Sequence, residues 1–256
     1  MAALLFIVPV VAIGLSLRVL RYLKERNPNR VKEPEQPITI IFGALGSGKT
    51  LLATMYVLRA LDDIKSEFKQ FAANIPIRHP SKGLVRRLEK DACRDDSKPI
   101  FDTLGIVDEA YEWWRTENFQ DVDVKEQRFI RTARQRGNHF YLLYQDIESA
   151  PPWLRRLCHD YILVESTKLP TGRILWITAK HFRSEEAVKA YQRDRDSSRI
   201  KESERYINWP GYNRFKRAFG AYDTHYYRTK LENKIRAAGQ DVEPIVLPGW
   251  DENGKD

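Results

Sequence analysis

The residues with the plainest chemistry are Gly43-Ala44-Leu45-Gly46-Ser47-Gly48-Lys49-Thr50, which meet G-x-x-x-x-G-K-[ST] at every fixed position. Glycines at that spacing let successive backbone N–H groups curl around an anion, and a helix beginning at the loop's end adds its dipole. Lys49 supplies a cation for β- and γ-phosphates, and the Thr50 hydroxyl supplies an oxygen for Mg²⁺. The nucleotide contacts expected are Gly43, Ala44, Leu45, Gly46, Ser47, Gly48, Lys49, Thr50 and Leu51, with ATP and Mg²⁺ as cofactors. A second pair, Asp108-Glu109, closes the apolar run 101–107. There Asp108 is expected to support the metal and Glu109 to polarise an attacking water. Two acids at a strand end are often only solvated, but an apolar strand delivering them favours the functional reading.

Acid beside acid in that place marks the additional-strand, catalytic-glutamate branch of triphosphate-binding α/β proteins, which carries a polar sensor on a neighbouring strand. Gln145, closing the run 140–144, suits that role by position, although a glutamine at a strand end is also unremarkable. Arg131, Arg134 and Arg136 precede that strand on a basic helix. Arg134 is the candidate finger toward a neighbouring subunit's γ-phosphate, with a basic face toward DNA or solvent as the plainer alternative.

These groups need elements to hold them. Residues 38–42 read as a strand, 43–50 as a glycine-rich turn, and 51–68 as a helix with apolar spacing at Leu52, Met55, Tyr56, Leu58 and Leu61. Further strands are expected at 71–77, 101–107, 140–144 and 161–166, the last with a hairpin partner at 174–178 across the Pro170-Thr171-Gly172-Arg173 turn. Gly105 is a mild irregularity within its strand. Helices are expected at 124–136, stopped by Gly137, at 153–158, and across the charge-dense stretch 183–206. Alternating strands and helices predict an α/β fold with a mainly parallel sheet and an antiparallel edge hairpin.

The chain has 256 residues, 42% hydrophobic and 11% aromatic, with a formal net charge of +8. That composition excludes a disordered chain and favours polyanionic neighbours, whether nucleic acid or an anionic membrane face. Two cysteines, Cys93 and Cys158, and scattered histidines exclude a disulfide framework and indicate no metal site of their own. Residues 2–17 carry no charge, and Arg18, Arg21, Lys24, Arg26 and Arg30 follow. A span needs about 20 apolar residues, and Val19, Leu20, Tyr22 and Leu23 extend the run while Arg18 snorkels. A signal peptide and a buried helix are the rivals. The expectation is a transmembrane helix at 1–24 with the bulk of the protein in the cytoplasm. A proline-rich linker at 25–37, a nucleotide-binding domain at 38–228 and a polar tail at 229–256 complete the organisation. Aromatic residues after Asp108-Glu109 (Trp113, Trp114) and among the late basic residues suit either core packing or stacking on unpaired bases.

From 38 to about 227 the sequence resembles the zonula occludens toxin (Zot) domain, the assembly NTPase family of filamentous phages. The matching features are the phosphate loop, Ala73-Asn74-Ile75, Ile106-Val107-Asp108-Glu109-Ala110, Arg134-Gln135-Arg136-Gly137, Gln145, the strand pair around Thr171-Gly172, and Tyr222-Asp223-Thr224. Zot-type proteins usually carry their membrane span after this domain, whereas the apolar segment here comes first. That order leaves room for the related FtsK/HerA-like packaging ATPases of membrane-containing viruses. The resemblance implies a membrane-anchored viral or phage ATPase at the host's inner membrane, or associated with the virion. It would work as a homo-oligomeric ring on viral DNA or coat proteins. Threading DNA into a capsid, and a non-hydrolysing nucleotide-binding membrane adaptor, are the alternatives.

Overall fold

The computed structural model describes residues 36–63, 66–79, 83–94, 100–115, 123–158, 160–171, 174–207, 217–218 and 221–222. All belong to one compact unit, Pro34–Asp256. The expected anchor at 1–24, nearly all of the linker and the tail at 229–256 lie outside the described residues. Among the described residues, no helix is long and apolar enough to cross a membrane.

Eight strands form one sheet in the order β10-β9-β8-β1-β7-β6-β2-β5. They are β1 (Ile38–Phe42), β2 (Gln70–Ala73), β5 (Arg86–Arg87), β6 (Thr103–Val107), β7 (His139–Tyr144), β8 (Asp160–Lys168), β9 (Ile174–Phe182) and β10 (Glu202–Ile207). The run from β8 to β5 is parallel throughout, and β9 and β10 add an antiparallel wing. A small hairpin of β3 (Arg78–His79) and β4 (Gly83–Leu84) stands apart. The mainly parallel sheet with an antiparallel edge is therefore as the alternation predicts. The extra strand falls between the two that carry chemistry, with β7 paired to β1 on one side and β6 on the other.

Both faces of the central strands are apolar because helices cover both. Helix α1 (Lys49–Asp62) buries nearly its whole surface, with Tyr56 5.3 Å from the Tyr141 ring of β7. On the other face Ile38, Ile40, Phe42, Phe140, Leu142 and Tyr144 pack with Phe129 and Ile130 of α2 (Val124–Arg131). Leu154 of α3 (Pro152–Arg155) and Val188 and Tyr191 of α4 (Glu185–Asp194) belong to the same core.

Gly105 has a packing reason. A Cβ there would enter the ring of Phe140, which is buried and itself packed 5.2 Å from Phe129. Gly105→Ala should cost about 1–3 kcal/mol by overpacking, read as a lower denaturation midpoint in urea at unchanged slope.

Several expectations change. The helix expected over 51–68 ends at Asp62, and the strand expected over 71–77 ends at Ala73. The stretch 183–206 is not one helix: α4 ends at Arg195, whose φ is +53°, and β10 follows a short 3-10 turn. In β10, Glu202, Glu204 and Tyr206 lie on the better buried face while Ser203 and Arg205 are exposed. That period of two is hidden by charge, and the neighbouring strand β9 selects it. The helix expected over 124–136 ends at Arg131, and a 3-10 turn carries the chain to Gly137, which stops it as expected.

Candidate functional site

The site lies at the edge where the parallel strands end. Phe42 pairs with Tyr144 and Val107 with Leu142, so Gly43, Asp108, Glu109 and Gln145 all emerge at the same edge. Between β1 and α1 the chain turns with Gly46 at φ +70° and Gly48 at φ +95°, backbone conformations that side chains with a Cβ seldom adopt. Helix α1 then starts with no capping side chain and no acid in its first turn. Its leading N–H groups and positive dipole end are left for an anion.

Lys49 is buried and folds back over the loop, donating to the carbonyls of Gly43 at 2.8 Å and Ala44 at 3.2 Å. Burial lowers its pKa, against the opposing charges of Glu109 and Asp108. The Thr50 hydroxyl donates to Asp108 Oδ2 at 3.1 Å, so the two expected metal ligands share one place. Asp108 is buried, and burial with the adjacent Glu109 charge raises its pKa to about 6, against the Thr50 hydroxyl, the Glu109 N–H and Lys49. A buried carboxylate beside a hydroxyl is an all-oxygen donor set suited to a small hard cation. Its charge is costly until a cation compensates it, so the residues fit Mg²⁺.

Glu109 is half-buried, and its backbone holds φ +48°, a strained left-handed conformation for a side chain of that size. Its carboxylate faces Gln145, whose Nε2 lies 3.5 Å from Glu109 Oε2. Gln145 itself is exposed at the end of β7.

Asn74 has a role its chemistry did not announce. Its side-chain amide donates to the Asp108 carbonyl at 2.7 Å and its amide oxygen accepts from the Asp108 N–H at 2.7 Å. Both backbone groups of Asp108 are thereby clamped to the end of β2. Only its place in the motif series of the Zot family flagged it. Tyr222 belongs to the same neighbourhood: it bridges Ile77, and burial together with the Asp108 charge raises its phenol pKa.

No family model matches the sequence, and no curated protein matches it. Solved structures do. The N-terminal domain of zonular occludens toxin from Neisseria meningitidis is similar over 73% of this chain and 99% of that chain, with a TM-score of 0.50 at 19% identity. The chain has a Zot-like P-loop NTPase fold. The genome packaging NTPase B204 from Sulfolobus turreted icosahedral virus 2, in complex with ATP-gammaS, matches 57% of this chain and 91% of its own at 16% identity and a TM-score of 0.41. The Legionella pneumophila ATPase DotB matches 81% of this chain and 62% of its own at 13% identity and a TM-score of 0.40.

Within this Zot-like fold the expected residues divide. Gly43 to Leu51, Asp108, Glu109 and Gln145 gather at one edge. Arg134 does not join them: it lies in the turn before β7, where the Arg136 carbonyl accepts from the Asp102 N–H ahead of β6. That is the opposite edge of the sheet from the phosphate loop. Trp114 is buried, with its indole N–H donating to the buried Glu126 at 2.9 Å, and Tyr206 is buried against α1. Both serve packing rather than base stacking. Trp209, Tyr212, Phe215, Tyr226 and Tyr227 lie outside the described residues.

Proposed function

We propose that this chain is a membrane-anchored viral or phage ATPase that powers virion assembly and extrusion by moving DNA or coat subunits. The observation that carries hydrolysis is Glu109 facing Gln145 at the edge where Lys49, Thr50 and Asp108 meet. In this reading the loop N–H groups and Lys49 take the β- and γ-phosphates. Thr50 and Asp108 hold Mg²⁺, which would neutralise charge on the phosphates. Glu109 accepts the proton of the attacking water, and Gln145, touching Glu109, senses whether a γ-phosphate is present. The uncharged segment 2–17 and the arginines after it support a single anchor in the host's cytoplasmic membrane, with this domain on the cytoplasmic side.

Arg134, turned away from its own loop, supports a ring in which each subunit completes its neighbour's site. Lys49→Ala protein mixed with wild type in equal parts should hold the rate well below half of the wild-type value. A rate at the simple average would overturn the coupled ring.

Packaging of DNA is a second reading with its own observation. Lys125, Arg128, Arg131 and Arg134 are exposed along one stretch and make no ion pair among the described residues. Hydrolysis stimulated by duplex DNA, with stimulation falling steeply as salt rises, would favour it over extrusion of coat protein.

A further inference from the structure

Strand β8 does not stop where its parallel neighbours do. Leu163 is the partner of Phe42, the last residue of β1. Val164, Glu165, Ser166, Thr167 and Lys168 continue past the sheet edge, paired with β9. This overhang lies against the phosphate loop. The Val164 carbonyl closes on Gly43, and Ile177 of β9 would stand 2.9 Å from a Cβ at Gly48. The Ser166 hydroxyl donates to the Gly46 carbonyl at 3.5 Å.

Lys168 ends the overhang. Its Nζ would stand 2.9 Å from a Cβ at Gly46, on the loop itself. Among the described residues Lys168 has no hydrogen-bond or ion-pair partner, whereas Lys69, Lys90, Lys180 and Lys189 each face a carboxylate. An exposed ammonium group standing at a loop built for anions, with no anion of the protein paired to it among the described residues, is placed to take a ligand's charge. Its side of the loop matters too. Glu109 and Gln145 approach from β6 and β7, on one flank of β1, while β8 lies on the other.

We propose that Lys168 reaches over the phosphate loop from the β8–β9 hairpin and binds the nucleotide's non-transferred phosphates, as a second cation beside Lys49. The proposal rests on the nucleotide-binding reading above. Because those phosphates remain in the product, Lys168 binds ADP as well as ATP, unlike a group that acts only on the γ-phosphate.

The test is calorimetric titration of the full chain in detergent with ADP, ATP and inorganic pyrophosphate, for wild type, Lys168→Ala, Lys168→Arg and Lys49→Ala. Lys168→Ala should weaken all three ligands by a common factor of roughly ten, the scale of one charge-assisted hydrogen bond. Lys168→Arg should restore most of the loss, which a merely structural role of the stem would not require. Lys168→Gln, which keeps a polar chain, serves if the alanine variant melts early, and should bind as weakly as alanine. If wild type binds, Lys49→Ala does not, and Lys168→Ala matches wild type, Lys168 has no such role. If wild type itself fails to bind ADP and ATP, the nucleotide reading falls and this proposal falls with it.

Discussion

Glu109→Gln is expected to leave ATP affinity within about twofold while cutting steady-state phosphate release roughly 10²–10³-fold, the scale of a lost general base. The substitution keeps the side chain's length and planar end, so the strained backbone at φ +48° and the approach to Gln145 can both persist. What disappears is the proton acceptor. A second effect concerns the metal. The Glu109 charge stands behind burial in raising the Asp108 pKa, so removing it lets Asp108 ionise more readily, while the site without that charge attracts a cation less, and the two offset. The variant should therefore trap Mg²⁺ and ATP about as firmly as wild type. Binding by fluorescent-nucleotide displacement and phosphate release on the same preparation separate the two effects. Turnover surviving within about tenfold would mean that water is activated by another group. A wild-type protein that binds ATP and releases no phosphate would favour the adaptor reading.

Much of this site could be read from the sequence because its parts answer to backbone rules. Gly46 and Gly48 occupy conformations reserved largely for glycine, Lys49 opens the helix, and Asp108-Glu109 ends an apolar strand. Such local requirements leave their mark on a short stretch of residues. Strand order leaves a weaker mark. The run 140–144 is visibly a strand, and the adjacent acids imply an added strand, but its seat between β1 and β6 comes from pairing over long separations.

The residues that escaped have a common cause. Asn74 matters because β2 pairs with β6 in a register that brings its amide to both backbone groups of Asp108. Lys168 matters because β8 overruns β1, a length difference that no single segment reveals. Arg134 shows the converse: its approach to the sensor strand along the chain looked favourable, yet the strand runs its length between the turn and the loop. In β10, Glu202 and Glu204 disguise a strand as a solvated helix, and only the edge of β9 provides the partner that makes the extended form stable.

Lys49→Ala is expected to weaken ATP binding by at least about 100-fold, from loss of hydrogen bonds to charged oxygens worth about 1.5–3 kcal/mol each. The nucleotide-free protein should respond differently. Without nucleotide the Lys49 ammonium is buried, its pKa is lowered by that burial, and its partners are the neutral carbonyls of Gly43 and Ala44. Removing a cation so placed relieves desolvation, the larger influence on it, at the loss of two modest hydrogen bonds and its attraction to Glu109 and Asp108, so the empty variant should be about as stable as wild type. The difference emerges on adding ligand. Wild type at 100 times its dissociation constant gains about 2.7 kcal/mol and melts higher, whereas the variant at that same concentration gains little. Thermal melts with and without ATP therefore carry both halves of the prediction. A variant that melts early without ligand would mean that Lys49 holds the loop together; one that still shifts with ATP would mean that the loop's N–H groups and the α1 dipole suffice for binding.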